Sequence, residues 1–373
     1  MKPLSIGIAC YPSVGGSGIL ATQVGMAMAE RGHEVHFVTQ STPHRLASHP
    51  RVHVHEVSAK DYHVFQHKPY TLALASRLVD VAQHQGLDVV HAHYAVPHAV
   101  AAWLAKDILG DRLRVVTTLH GTDITLVGTD PSYLPITRRA VERSDAVTTP
   151  SRWLATITRV GLELPGLPIQ VVPNFVDLDR FRPHEGAPVE IPGLPGNDPL
   201  LIHVSNLRPL KRAAEVVDIA RRVHQQRPVR LLILGDGPDG PEIDRCLAAS
   251  DVPSLRVANP GDDELPRLVR QAQCFVLPSA TESFGLAALE ALASGVPVVA
   301  THVGGLPEVL GRSDACGRLV GDSPEAEVRV ARFAEAVLEV LEGPDLGPAA
   351  RERAATTFPA GPAIDAYEAL YRG

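Results

Sequence analysis

The chain has 373 residues, of which 45% are hydrophobic, and a formal net charge of −7. This length exceeds one ordinary domain and fits two, and the apolar content favours packed cores over disorder. The negative charge argues against a nucleic-acid-binding surface, but it is compatible with a local basic site for an anionic metabolite.

The first half of the chain alternates short apolar runs with helix-like segments. The strand-like run "LSIGIAC" precedes "GILATQVGMAMAERG", a predicted helix for which Ser17 is the expected N-cap and Gly32 the expected end. Apolar strands alternating with helices predict a parallel sheet covered on both faces. The other predicted strands are "EVHFVT", "RVHVHEV", "DVVHAHY", "RVVTTLHG", "DAVTTPS" and "IQVVPN".

The alternation stops at residues 182–199, which are rich in Pro and Gly, and then resumes with "LLIHVSN", "VRLLILG", "LRVAN", "CFVLPS", "PVVATH" and "GRLVG". We therefore predict an α/β protein of two Rossmann-like domains. Ligands of such proteins bind in the crevice between domains, at the carboxyl ends of the strands. The predicted parts are a first domain at 1–178, a linker at 179–199, a second domain at 200–355 and a C-terminal helix at 356–373 that returns to the first domain.

Cysteine and histidine usage bears on compartment and metal binding. The four cysteines lack CxxC spacing, which is typical of reduced thiols, and no apolar run resembles a signal peptide or reaches membrane-spanning length. We expect a cytoplasmic protein without stable membrane association and without a nucleic-acid partner. His91 and His93 share one face of a predicted strand, as a metal-binding pair would, but no third ligand lies near them in sequence. We expect no metal.

Two predicted strand-to-helix turns have the composition of anion sites. In "CYPSVGGSG", Gly15 and Gly16 allow close backbone approach before a helix N-terminus, although the spacing is not GxGxxG and an ordinary tight turn is an equal alternative. In "SNLRPLKR", Arg208, Lys211 and Arg212 cluster where a helix begins. Cations are unfavourable there unless an anion such as a diphosphate binds; the alternative is a solvated charge cluster.

The most specific pattern is a pair of glutamates in "SATESFGLAALEALASG". Glu282 precedes a predicted helix and Glu290 lies inside it. Eight residues is slightly more than two helical turns, so both carboxylates lie on nearly the same side. The backbone N–H groups of residues 284–286 are free at the helix start. These groups predict a site for sugar hydroxyls and phosphate, against the alternative of two solvent-exposed acids.

These residues resemble the E-x7-E motif of the retaining glycosyltransferases of family four, which have the GT-B fold. "ESFGLAALE" is similar to the motif and "ASGVPVVATHVGGLPE" to the segment after it, and the resemblance covers nearly the whole chain. "IACYPSVGGSG", "VHAHYAVPHA", "TTLHGTDIT", "VVPNFVD" and "HVSNLRPLKR" are similar to a subgroup that transfers N-acetylglucosamine from UDP-N-acetylglucosamine to the hydroxyl of L-malate. The expected product is the α-glucosaminyl malate precursor of bacillithiol.

The resemblance implies an acceptor-binding first domain, a UDP-sugar-binding second domain, and neither cofactor nor metal. It implies that Glu290 holds the uridine ribose, Lys211 neutralises the departing UDP and His120 contacts the sugar. The catalytic candidates are therefore His120, Lys211 and Glu282. The implied donor-binding set is Gly15, Gly16, Asn206, Arg208, Lys211, Glu282, Ser283, Phe284, Gly285, Leu286 and Glu290.

The chain departs from most of the family at Ser205-Asn206, where relatives have Gly-Arg. The expected diphosphate site therefore lacks one cation, and Arg208 is the candidate replacement. A dianionic acceptor needs hydrogen-bond donors and at least one cation, and a guanidinium can bind a carboxylate with two hydrogen bonds. The acceptor-binding candidates are Ser17, Tyr94, Thr118 and Arg138.

Two other functions stay open. One is a family-four transferase acting on a lipid or a polysaccharide; a lipid acceptor would favour a basic amphipathic helix, and "ITRRAVERS" is short for that purpose. The other is a UDP-sugar-binding protein without turnover, which would have no need of Glu282 and Lys211. The sequence also leaves open whether the protein is a homodimer.

Overall fold

The computed structural model describes residues 2–12, 15–58, 67–110, 112–186, 189–311 and 314–373. They form two compact units, one of Met1–Pro173 with Gly361–Gly373 and the other of Asn174–Ala360. Each unit contains one parallel sheet with helices on its faces. Among the described helices, none combines the length and the apolar character needed to cross a bilayer.

The sheet of the first unit has seven parallel strands in the order β3-β2-β1-β4-β5-β6-β7, and all seven match strands predicted from the sequence. Its central strands are buried on both faces; Val89 and Val90 of β4, for example, point to opposite faces and are both fully buried. Burying each such side chain stabilises the fold by about 1.5–3 kcal/mol. The strands are β1 (Ser5–Ala9), β2 (Glu34–Thr39), β3 (Val52–Glu56), β4 (Val89–His93), β5 (Arg114–Thr118), β6 (Ala146–Thr149) and β7 (Ile169–Val171).

Helices connect most of these strands, and the prediction that Ser17 caps the first helix is wrong. The helix begins at Gly16 with Gly15 in the N-cap position, so Ser17 already lies in its first turn. Irregular π-helical turns at Ala95–Ala99 and Asp123–Gly128 follow β4 and β5. The regular helices are α1 (Gly16–Glu30), α2 (Tyr70–Gln85), α3 (Val100–Leu109), α4 (Leu134–Glu142) and α5 (Arg152–Gly161).

The second unit has a six-stranded parallel sheet in the order β10-β9-β8-β11-β12-β13, again as many strands as were predicted. A separate apolar cluster covers each face of the sheet. Its strands are β8 (Leu200–Val204), β9 (Arg230–Leu234), β10 (Ser254–Val257), β11 (Cys274–Leu277), β12 (Val298–Thr301) and β13 (Gly317–Val320). Its helices are α6 (Ala213–His224), α7 (Gly240–Ala248), α8 (Glu264–Val269), α9 (Leu286–Ala293), α10 (Leu306–Leu310), α11 (Ala326–Glu342) and α12 (Gly347–Thr357).

The segment predicted as a linker, residues 179–199, lies within the second unit. Ile191 and Leu194 form a short antiparallel bridge and are buried in the core of that unit. Arg351 of α12 donates hydrogen bonds to the carbonyl oxygens of Leu178 and Phe181. Without periodicity, the sequence did not reveal that three apolar residues of this stretch, Phe181, Ile191 and Leu194, are buried in that core. Residues 187 and 188 lie outside the described ones.

The last helix, α13 (Ala360–Arg372), packs on the first unit. The Tyr371 hydroxyl lies 2.7 Å from Nδ1 of His91 in β4, and Nε of Arg114 donates to the Leu370 carbonyl at 2.7 Å. Glu368 accepts hydrogen bonds from Arg372 (2.8 Å) and Arg31 (2.9 Å). The chain therefore completes the first unit only after passing through the second.

Glu368→Gln should destabilise the first unit in a pH-dependent way. The hydrogen bond from Arg372, followed by that from Arg31, lowers the pKa of Glu368 from 4.5 to about 2. A lowered carboxyl pKa contributes stability above pH 4.5 that is lost as the pH falls towards 2. After allowance for solvent screening, we expect a loss of about 1–2 kcal/mol at pH 7, shrinking below about pH 4.5.

Urea unfolding followed by tryptophan fluorescence measures this effect, because Trp103 and Trp153 both belong to the first unit. The control is Asp365→Asn. Asp365 also pairs with Arg31, at 2.7 Å, but its side chain is 69% exposed, so it should contribute less than about 1 kcal/mol. Equal losses in the two variants at pH 7 would contradict the assignment to Glu368.

Candidate active site

The candidate residues of the first unit follow adjacent strands at one edge of the sheet. The strands after β1 first extend the sheet on one side, through β2 and β3, and then on the other, from β4 onward. Such a switch point opens a crevice at the carboxyl ends of a parallel sheet. Ser17 follows β1, Tyr94 follows β4 and His120 follows β5.

Tyr94 has an uncommon backbone conformation at the end of β4. Its φ of 85° with ψ of 142° lies in a region that residues other than glycine rarely adopt. Its phenolic oxygen accepts long hydrogen bonds from the hydroxyls of Ser17 (3.3 Å) and Thr122 (3.4 Å). Its ring lies 5.0 Å from that of His120, centroid to centroid. The structure thus brings together Ser17, Tyr94 and His120.

His120 is half-buried and lies beside the buried histidines His91, His93 and His98. Its Nε2 lies 3.0 Å from Nδ1 of His93. Burial, with a smaller contribution from the charge of His98, lowers the pKa of His120 to about 3. The ring is therefore neutral near pH 7 and offers one hydrogen-bond donor and one acceptor rather than a positive charge.

His91 and His93 have neighbouring rings, with centroids 4.1 Å apart, but His91 has no nitrogen left for a metal. Its Nδ1 lies 2.7 Å from the Tyr371 hydroxyl and its Nε2 lies 2.7 Å from Oγ1 of Thr118. Within the residues that the structure describes, no group of three or more His, Cys, Asp or Glu side chains is arranged to hold a metal ion.

Thr118 was expected to contact the acceptor, but its side chain lies beneath the surface of the site. The residue is 1% exposed, and its hydroxyl is bonded to both His91 and Thr148 (2.6 Å). The two partners come from neighbouring strands, which the sequence could not pair. We therefore leave the Thr118 hydroxyl out of the acceptor site proposed below.

Arg138 lies on α4, directly after the buried Thr137, and is itself half-buried. Its side chain is 41% exposed, and its ion-pair partners in the structure are two glutamates rather than Ser17 or Tyr94. The guanidinium lies 3.4 Å from Glu142 and 3.5 Å from Glu163. Both distances are long for hydrogen bonds, so these carboxylates hold the arginine weakly.

Gly15 and Gly16 form the junction between β1 and α1. Gly15 is extended, with φ of −74° and ψ of 157°, and the amides that follow it belong to the first turn of a 15-residue helix. Such amides lack carbonyl partners within the helix and favour an anion. Ser13 and Val14 of the same glycine-rich loop lie outside the described residues.

The second unit joins two of the catalytic candidates in one ion pair. Nζ of Lys211 lies 2.5 Å from Oε1 of Glu282, and the same oxygen accepts a hydrogen bond from the Ser279 hydroxyl at 3.0 Å. The side chains of Lys211 and Glu282 are only 17% and 10% exposed. A cation and a carboxylate separated by 71 residues in sequence therefore meet in a site largely shielded from water.

The backbone that carries Glu282 rests on two glycines of the turn after β12. The amide of Gly305 donates to the Glu282 carbonyl at 2.9 Å. A Cβ on Gly304 would lie 1.8 Å from that carbonyl oxygen, and a Cβ on Gly305 would lie 2.5 Å from the Ser283 carbonyl oxygen. Only glycine permits this close packing, so the glycine pair fixes the position of the Glu282 loop.

The start of α9 presents backbone rather than side-chain groups at Phe284 and Gly285. The Phe284 side chain is buried and packs edge-on against Phe358, with centroids 5.5 Å apart. Gly285 occupies the N-cap position with φ of 100°. The first amides of α9, beginning at Leu286, have no carbonyl partner within the helix. Glu290 is half-buried farther along the helix.

The basic residues after β8 divide into two groups. Arg212 is committed to Asp322, with hydrogen bonds of 2.8 and 3.3 Å. Arg208 and Asn206 are exposed beside the short 3-10 turn Pro209–Lys211. An anion arriving at this turn would therefore meet Arg208 and Lys211 before Arg212.

Sequence reasoning missed two buried residues beneath these sites. Asp123 accepts hydrogen bonds from three backbone amides in the first unit. In the second unit, Nδ1 of His203 lies 2.8 Å from the Val276 carbonyl and Nε2 lies 2.8 Å from the Ser205 hydroxyl. Since a carbonyl only accepts, Nδ1 carries the proton and Ser205 donates to Nε2. A polar residue inside or just after an apolar strand was the available signal.

Comparison with known proteins identifies the family. The profile described as Glycosyltransferase Family 4 matches residues 14–180, and that of Glycosyl transferases group 1 matches residues 198–343. N-acetyl-alpha-D-glucosaminyl L-malate synthase of Bacillus anthracis is 40% identical over 99% of this chain and 96% of its own. The chain belongs to glycosyltransferase family 4. D-inositol 3-phosphate glycosyltransferase 2 of Catenulispora acidiphila is 31% identical, covering 91% of this chain and 86% of its own.

Solved structures agree on the fold of this glycosyltransferase. Sucrose-phosphate synthase of Thermosynechococcus elongatus has a TM-score of 0.78 at 20% identity, over 99% of this chain and 98% of that one. HepE of Anabaena, crystallised with UDP-glucose, has a TM-score of 0.76 at 17% identity, over 99% and 100% of the two chains. The two units are the two Rossmann-like halves of the GT-B fold, as the sequence predicted.

Proposed function

We propose that this glycosyltransferase transfers N-acetylglucosamine from UDP-N-acetylglucosamine to the hydroxyl of L-malate, with retention of the α configuration. The observation that carries the proposal is the 40% identity, over nearly the full length of both chains, to a protein named for that activity. The four free cysteines fit a reducing compartment, so the proposal places the reaction in the cytoplasm.

The second unit is proposed to bind the donor. Glu290 accepts hydrogen bonds from the ribose hydroxyls, and the amides of Phe284, Gly285 and Leu286 hold the sugar or its phosphate. Lys211 neutralises the diphosphate, assisted by Arg208 in place of the arginine absent at Asn206. The largely buried position of the Lys211–Glu282 pair supports these roles, because electrostatic effects are strongest where water is excluded.

Retention is proposed to follow departure and attack on the same face of the sugar. The bond between the anomeric carbon and the β-phosphate oxygen breaks, and UDP takes the electron pair. The malate hydroxyl oxygen forms the new bond to that carbon, and the leaving phosphate accepts the hydroxyl proton. The protein contributes placement and charge neutralisation rather than a covalent nucleophile.

The first unit is proposed to bind the acceptor through Ser17, Tyr94 and Arg138, while His120 contacts the sugar. The contacts among the Ser17, Thr122 and Tyr94 hydroxyls support a common polar surface. The low pKa of His120 leaves a neutral imidazole, which suits hydrogen bonding to a sugar hydroxyl.

The test is a product assay by mass spectrometry, with UDP-N-acetylglucosamine and separate acceptors. We expect an N-acetylglucosaminyl adduct with L-malate and little with D-malate, succinate or inositol 3-phosphate. The last acceptor tests the second candidate function, favoured by the relatives named D-inositol 3-phosphate glycosyltransferase. Adduct formation with inositol phosphate alone would replace the proposal, and absence of any transfer would favour a sugar-binding protein. A parallel reaction with chelator tests independence from divalent metal.

Arg138→Ala should lower kcat/KM for malate by roughly tenfold to a hundredfold while leaving donor affinity within about twofold. The loss corresponds to an unpaired carboxylate in the acceptor complex, at about 1.5–3 kcal/mol. The weak 3.4 and 3.5 Å contacts to Glu142 and Glu163 leave the guanidinium able to exchange partners. Steady-state kinetics at saturating donor measures the change.

Arg139→Ala is the matched control for this variant. Arg139 is the next residue of α4, is 54% exposed and also pairs with Glu142, at 3.6 Å. It should retain the wild-type KM for malate. If both variants behave alike, Arg138 acts only through the surface charge of α4 and the acceptor role is wrong.

A further inference from the structure

The carboxylate of Asp123 is buried at the start of the π-helical turn after β5. The residue is 2% exposed. One carboxylate oxygen accepts from the amides of Gly121 (2.8 Å) and His120 (3.1 Å), and the other accepts from the amide of Ala95 (3.2 Å). A side chain with three backbone partners on two segments fixes both segments relative to each other.

These segments are the turns that carry the site residues of the first unit. Ala95 directly follows Tyr94, whose φ of 85° must be held by its surroundings. His120 and Gly121 lie two and three residues after the end of β5, and Gly121 has φ of 123°. The turn after β4 and the turn after β5 are therefore joined through one carboxylate, 28 residues away from Ala95 in sequence.

The charge of Asp123 has no basic partner among the described hydrogen bonds and ion pairs. Burial raises its pKa to about 6, and the amide hydrogen bonds from Gly121, Ala95 and His120 oppose this increase. A buried carboxylate without a counter-charge is costly to the fold. A residue beneath a functional site that lowers the stability of the fold is typically retained because it fixes the geometry of the site.

We propose that Asp123 is a positioning residue for glycosyl transfer, holding Tyr94 and His120 at the distance that the acceptor and the sugar require. The inference rests on the proposed function for the identity of the acceptor. It does not rest on that function for the link between Asp123 and the two turns. Asp123 touches neither substrate and acts through the backbone of its neighbours.

The test compares Asp123→Asn with Asp130→Asn. Asparagine keeps the size of the side chain but directs an NH2 group at an amide donor. We expect kcat/KM for malate to fall roughly tenfold to a hundredfold, while the Kd for UDP by calorimetry stays within about twofold and Tm does not fall. Asp130 also accepts a backbone amide, that of Ser132 at 2.8 Å, but on an exposed turn, so its variant should keep wild-type kinetics.

A second measurement does not depend on the acceptor. In protein with ¹³C-labelled histidine rings, the His120 signal is assigned by its disappearance in His120→Gln. That signal should shift in Asp123→Asn and stay in place in Asp130→Asn. If malate is not the acceptor, the wild-type enzyme gives no malate adduct while the shift is still seen, which separates the two failures.

Three results would overturn the proposal. The first is wild-type kinetics for malate in Asp123→Asn. The second is a loss of UDP affinity accompanied by a fall in Tm, which would show general damage to the fold. The third is an unmoved His120 signal, which would show that the carboxylate does not set the turn.

Discussion

Lys211→Met should lower kcat roughly a hundredfold to a thousandfold while the enzyme remains folded. Removing a preorganised charge that meets developing negative charge typically costs about 2.7–4 kcal/mol in the transition state. Lys211 is paired with Glu282, and the pair is largely buried. Among the described contacts, neither Arg208 nor Arg212 is paired with Glu282. Single-turnover kinetics with UDP-N-acetylglucosamine and malate measures the chemical step directly.

Arg212→Met is the control for lost positive charge in the same segment. Arg212 is paired with Asp322, so its replacement should change kcat by less than about fivefold. Because Lys211→Met leaves Glu282 without its partner, the double variant Lys211→Met/Glu282→Gln separates the two effects. Recovery of most of the activity in the double variant would mean that the lysine serves mainly to neutralise Glu282.

Gly304→Ala should reduce kcat/KM for the donor by at least about a hundredfold. The added Cβ would lie 1.8 Å from the Glu282 carbonyl oxygen, so the loop carrying Glu282 must move by more than an ångström. A displacement of about 1 Å in a catalytic site can cost about 10²-fold in rate. Calorimetric titration with UDP and steady-state kinetics both report the loss.

Gly86→Ala isolates the steric part of this effect. Gly86 has φ of 64°, close to the 59° of Gly304, but a Cβ there would meet no atom within 4 Å. Both variants carry the backbone cost of alanine in the left-handed region, about 1–2 kcal/mol. Only Gly304→Ala should lose donor binding. Similar donor kinetics in the two variants would show that the glycine turn does not position Glu282.

Local patterns in the sequence were sufficient to predict the sheets and the Glu282 helix. The central strands of both units are buried on both faces, and the alternation of strand and helix specifies a parallel sheet. Glu282 lies before α9 and Glu290 within it, as the spacing predicted. The predicted N-cap of α1 was wrong. Gly15 and Ser17 are both acceptable N-cap residues, and only the tertiary contact of Ser17 with Tyr94 distinguishes them.

Residues that depend on partners distant in sequence were not predictable in this way. Asp123 lies next to the candidate His120, but its role requires knowing that the turn after β4 lies beside it. The same is true of Thr118, because the hydrogen-bond partners of its hydroxyl lie on the neighbouring strands. Residues 179–199 have the composition of a linker, and their place in the second unit depends on Arg351, far along the chain.

The return of α13 to the first unit has a consequence for biosynthesis. The second unit is continuous in sequence, from Asn174 to Ala360. The first unit is not, because His91 of β4 is hydrogen-bonded to Tyr371, which lies 280 residues later in the chain. During translation, the second unit can fold as soon as it emerges, while the first unit keeps the binding surface of α13 uncovered. Nascent chains that stop before residue 361 should therefore be the species that chaperones retain and proteases remove.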